Sequence, residues 1–110
     1  MRLFIAGPYG DHNPKDVIRD NVQRANAVAR QLMSEGNQIF CPHTMSWGWE
    51  DDPRLSRNDF LELDKSFLTY WAAGVVRIPG ESPGADEEVN LAYLLGIPVW
   101  MWPDAPAPAE

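Results

Sequence analysis

Two acidic residues stand where acids are not expected. Glu88 follows Ala85 by three residues and precedes Ala92 by four and Leu95 by seven, so it shares a helical face with these apolar positions. Asp64 follows Phe60 by four residues and precedes Leu68 by four and Trp71 by seven, which puts it in the apolar stripe of another helical stretch. Glu87 falls on the side expected to meet solvent. A carboxylate turned toward a core must be paired, hydrogen-bonded or neutralised, because an isolated buried charge is costly. Such groups concentrate at active sites, which makes Glu88 and Asp64 the candidate catalytic pair. Each also has a structural alternative. Glu88 lies near the start of its helix, where acids serve as caps or dipole partners. Asp64 has Arg77 and Lys65 as possible ion-pair partners, or a place at the rim.

Other residues able to do chemistry gather between the second strand and the second long helix. The triplet Cys41-Pro42-His43, with His12, Asp51 and Asp52, supplies metal-ligating types but not a ligand set, since no second Cys or His pair follows. No metal site is therefore expected. Cys41 reads as a small buried hydrophobe at a strand end. His43 is placed at the pocket edge, where it would contact a ligand. Trp47 and Trp49 flank Gly48. Trp47 is the candidate for stacking on a planar ligand; the alternative is that these rings close the loop over the core or fill an interface. Arg54 and Arg57 would bind a phosphate or cap a solvated helix start. Neither G-x-x-x-x-G-K nor G-x-G-x-x-G is present.

The elements that must position these residues are legible in outline. Arg2 to Ala6 reads as a strand running into the turn Gly7-Pro8-Tyr9-Gly10. Asn13-Pro14 reads as a cap followed by proline at the first helical position, opening a helix stopped by Gly36. Gln38 to Cys41 is a short strand, and His43 to Pro53 a loop. Ser56 to Trp71 is the second helix, and Gly74 to Ile78 a buried strand. Ser82-Pro83 opens a third helix ending at Leu95 with Gly96 behind it, and Val99 to Trp102 is the last strand. This βαβαβαβ order predicts an α/β fold: a flavodoxin-like or Rossmann-like open parallel sheet of four to five strands with helices on both faces. In such a sheet the loops after the first and third strands lie side by side beyond the carboxyl ends, where ligands bind. Here those are Gly7 to Gly10 and Pro79 to Gly84.

The bulk properties fit one domain over residues 1–102, followed by a Pro/Ala-rich tail, 103–110, expected to be mobile. The chain has 110 residues and a formal net charge of -7. Without a basic cluster it is a poor partner for a nucleic-acid polymer. No apolar run reaches the length of a membrane span. One cysteine cannot form an internal disulfide, and a cytoplasmic location is expected.

The segment S82-P-G-A-D-E-E88-V-N-L-A92-Y-L-L-G96-I-P-V resembles the signature of the nucleoside 2-deoxyribosyltransferase superfamily, in which a Ser-x-Gly segment precedes a glutamate at this spacing. I5-A-G-P-Y9 resembles the family's first strand and glycine loop, and D64-K-S-F-L68 its Asp-x-x-x-Leu element. The likeness runs in the family's order up to Trp102, and short phage and bacterial members are the most similar. It implies cleavage or transfer at the N-glycosidic bond of a nucleoside or nucleoside 5′-monophosphate, without metal or organic cofactor. It assigns Glu88 as nucleophile and Asp64 as acid or proton shuttle. Ser82 and Gly84, with Gly7 and Pro8, would hold substrate. It also implies a homodimer or higher homo-oligomer.

Two positions depart from the family pattern. Phe4 stands where relatives carry a tyrosine whose hydroxyl orients the nucleophile, and Tyr9 is the candidate substitute. Ala72-Ala73-Gly74 stands where many members have an aspartate. A non-catalytic nucleotide-binding or sensing module on the same fold is the alternative expectation, and a partner-binding protein a third.

Overall fold

The computed structural model describes residues 1–9 and 14–107. Gly10, His12 and Asn13 lie outside them, as do the last three residues of the tail. In chain order the elements are β1 (Arg2–Ala6), α1 (Lys15–Ser34), β2 (Gln38–Phe40), α2 (Pro42–Met45), a 3-10 turn (Trp49–Asp51), α3 (Arg57–Tyr70), β3 (Gly74–Arg77), α4 (Pro83–Leu94) and β4 (Val99–Met101). The four strands pair in parallel in the order β2-β1-β3-β4. This is the flavodoxin-like order, with the switch point between β1 and β3.

Period-two alternation divides the sheet into two cores. Leu3, Ile5, Val76 and Ile78 face α1 and pack on Ala25, Val28, Ala29 and Leu32. Phe4, Ala6 and Val75 face the other way, toward Leu68 of α3 and Ala85 and Ala92 of α4. Each fully buried Leu, Ile or Phe contributes roughly 1.5–3 kcal/mol. On the second face Phe40 stacks on Phe67 at 3.7 Å between ring centroids. The helix carrying Asp64 is thereby fixed over the end of β2.

The local signals hold, with β3 and β4 each ending one residue early and three further differences. Helix α1 begins at Lys15, with Pro14 as the extended cap whose carbonyl accepts from Ile18 N, so proline sits one place earlier than expected. Strand β2 ends at Phe40, because Cys41 becomes the cap of α2. The expected loop from His43 to Pro53 holds α2 and a 3-10 turn; elements this short leave no periodicity to read. At Ser82 the hydroxyl accepts from Ala85 N and Pro83 opens the helix. Gly36 and Gly96 both have positive φ behind their helices. In the tail, Ala105 packs against the α1-side core.

The two loops at the switch point touch. Gly80 has φ 131°, and a Cβ built there would lie 2.6 Å from Pro8 Cγ. Arg24 of α1 donates to Pro79 O in the same region. Gly80→Ala should therefore lower stability by roughly 1–3 kcal/mol in chemical denaturation, since it combines left-handed backbone with a collision. Gly84→Ala is the control: its Cβ would enter open space within a helix, so stability should hold or rise slightly.

Candidate active site

Helices α3 and α4 lean together on the sheet face that carries Phe4 and Val75. Between them lies a narrow cleft of about 20 Å³, lined by Leu61, Asp64, Lys65, Leu68, Gly84, Glu87, Glu88 and Leu91. The inward phase of both acids is thus realised on facing helices. Glu88 is held between Ala85 and Ala92, the two buried residues of α4. Asp64 lies one turn before Leu68, the buried residue of α3.

Desolvation governs both groups. Burial pushes the Asp64 carboxyl up to about 7. Burial first, and then the negative charge of Asp64, push Glu88 up to about 8 against the opposing pull of the Arg77 guanidinium. Between about pH 7 and 8 the two carboxyls therefore hold about one proton between them, and the two values belong to the pair. A site of this kind offers one carboxylate to attack and one carboxylic acid to donate.

The remaining candidates form a second group beyond β1 and β2. His43 is buried, with Nε2 3.0 Å from Gly7 O and 2.9 Å from Pro8 O. Both partners accept, so Nε2 carries the hydrogen and donates. Nδ1 is buried without a partner among the described residues. Burial pushes the imidazole below its ordinary value and keeps it neutral. His43 thereby ties the first loop to the end of β2. Tyr9 meets the His43 ring edge-on at 5.5 Å and the Trp47 ring at 6.5 Å. It does not line the acid cleft, so the structure does not bring the expected third catalytic residue beside Glu88. Trp47 is about half exposed and free to meet a planar ligand at this edge. Gly7 is required by close packing, since a Cβ there would lie 2.9 Å from Ile78 Cβ. Of the second loop, Gly84 lines the cleft and Ser82 caps α4.

Arg77 was weighed in the sequence only as a partner for Asp64. Instead its side chain donates to Ile78 O, to Gly80 O at 2.9 Å and to Asp86 Oδ1 at 3.0 Å. An arginine inside the apolar run GVVRI was the available signal. Arg54 is engaged by Asp52 at 2.7 Å. Among the described residues no three His, Cys, Asp or Glu side chains stand close enough to hold a metal ion. None of their helices is long and apolar enough to cross a membrane.

No model of a known protein family matches the sequence, and no curated protein matches it. A similar solved structure is that of a 2-deoxyribosyltransferase from the psychrotolerant bacterium Bacillus psychrosaccharolyticus, with a TM-score of 0.67 at 19% identity. The match covers 92% of this chain and 71% of that one. This chain has the nucleoside 2-deoxyribosyltransferase-like fold. The cleft lies between α3 and α4, the helices preceding and following β3.

The raised carboxyl values carry a stability consequence. Unfolded, Glu88 releases its proton near its ordinary 4.5; folded, it keeps it to about 8. Between these values the folded state binds more protons, so stability falls as pH rises through the window. Glu88→Gln should remove that fall. In urea titrations the variant should match the parent near pH 4.5 and exceed it by roughly 2–4 kcal/mol at pH 8.5. Equal stability differences at both pH values would show a Glu88 carboxyl of ordinary acidity.

Proposed function

We propose that this protein cleaves or transfers at the N-glycosidic bond of a nucleoside or nucleoside 5′-monophosphate, with Glu88 as nucleophile and Asp64 as proton carrier. The observation that supports it most directly is the pair of proton-sharing carboxyls on facing helices in one cleft. The fold is that of a 2-deoxyribosyltransferase.

In the proposed reaction the ionised Glu88 carboxylate attacks the anomeric carbon. A C–O bond forms, the C–N bond breaks, and its electron pair leaves with the base. Asp64, protonated at that moment, donates its proton to the departing base nitrogen. The substrate must therefore shift the shared proton from Glu88 to Asp64. A base that accepts a hydrogen bond from Asp64 provides that bias. The sugar ester is then resolved by water, which gives its proton to Asp64, or by a second base. Trp47 is suited to stack on a base at the outer edge, with Gly7, Pro8, Ser82 and Gly84 shaping the sugar side. Exposed Tyr70, Tyr93 and Leu94 support assembly into a homo-oligomer; a monomer by light scattering at micromolar concentration would count against that part.

One observation favours a second reading, nucleotide binding without turnover. Phe4 is fully buried and packs against Phe40, so the first strand presents no hydroxyl to the acid pair.

Incubation with a panel of ribo- and deoxyribonucleosides and their 5′-monophosphates, with free base followed by chromatography, tests both. The expected result is base release that falls by about 10²-fold or more in Glu88→Ala. The rate should peak between pH 7 and pH 8, where the pair holds one proton. Binding without release, unchanged in Glu88→Gln, would favour the second reading.

A further inference from the structure

Arg77 is the buried cation of the acid-bearing face. It is 5% exposed, pairs in register with Ala6, and is two residues beyond Val75 on the face covered by α3 and α4. A guanidinium is always charged, so its burial demands partners. Those partners are informative. Two are carbonyls of the loop leaving β3, Ile78 O and Gly80 O. The third is Asp86, in the first turn of the helix that carries Glu88. The Asp86 side chain is 69% exposed, so solvent weakens its claim on a charge that is almost wholly buried.

We infer that Arg77 is a positioning residue for the reaction proposed above, clamping the β3–α4 loop and the start of α4 onto the strand end while serving as buried counter-charge to Glu88. The inference rests on that reading for its function, though not for its geometry. The clamp sets where α4 begins, and with it the height of Glu88 in the cleft. The charge opposes the desolvation and the Asp64 repulsion that hold the proton on Glu88. Other ionisable groups lining the cleft are Lys65 from α3 and Glu87 from α4; Asp86 stands outside it on Arg77, and the Cys41 thiol, in the α1-side core, feels the Asp64 charge weakly. Among the residues lining the cleft, Lys65 is the cation, and it is exposed. Arg77 is the cation that water does not screen. Asp86 acts as a trim on it: by sharing the guanidinium it leaves less positive potential for Glu88.

The test is the titration of the Glu88 carboxyl carbon by NMR in the full chain, assigned through Glu88→Gln, with base release followed separately. Asp86→Asn, a surface change, should move the Glu88 midpoint down by about half a pH unit. Arg77→Gln should move it up by about one, and Arg77→Lys should hold it near the parent value. Asp86→Asn should have little effect in the Arg77→Gln background, which separates action through Arg77 from direct repulsion. A midpoint unmoved by Asp86→Asn overturns the counter-charge role, and that variant decides even if Arg77→Gln does not fold. An equal Asp86→Asn shift with and without Arg77 overturns it as well. Base release absent from the parent protein, with these shifts intact, would sink the proposed function and leave the assignment of Arg77 standing.

Discussion

Two half-buried carboxyl groups lining one cleft resist being charged together. That electrostatic constraint organises the acid-bearing face of the protein. Asp64 and Glu88 come from different helices, and each is inward only because its helix must bury apolar neighbours: Leu68 on one, Ala85 and Ala92 on the other. The hydrophobic effect supplies the force that desolvates the acids. Electrostatics then sets the proton count. Arg77, below them on the sheet, limits how far the balance tips. The site is thus a strained compromise inside an otherwise ordinary core, and local conflict of that kind is expected where a fold carries chemistry.

The sheet and the acids were readable from the chain for different reasons. Strand and helix alternation, with Gly36, Gly96 and the Ser82-Pro83 start, depends on local backbone preferences, which survive in any context. The inward phase of Glu88 and Asp64 follows from helical geometry alone. Helix α2 was not readable because four residues carry no period. The hydrogen bonds of His43 were not readable for a different reason. Its partners are the carbonyls of Gly7 and Pro8, groups every residue possesses, so no pattern of side chains announces them. Arg77 and Asp86 are nine positions apart, and their meeting depends on how a strand end sits under a helix start. The ring contacts of Tyr9 with His43 and Trp47 were not readable either, because they depend on where the short helix α2 brings those rings.

The division between the two residue groups has chemical meaning within the proposed reaction. The acid pair lies between α3 and α4, while His43, Tyr9 and Trp47 stand beyond β1 and β2. Bond breaking is served where few waters screen the acids from each other and from Arg77. Recognition of a flat, polar base suits an open edge with aromatic rings and backbone carbonyls.

The contact of Pro8 with Gly80 joins these halves mechanically. A proline ring lies where even a methyl group would collide, and the same loops are tied outward by Arg24 at Pro79 and inward by His43 at Pro8. Two loops so interlocked share one degree of freedom. A displacement of Pro8 must carry Gly80 with it, so the ends of the first and third strands shift as one piece.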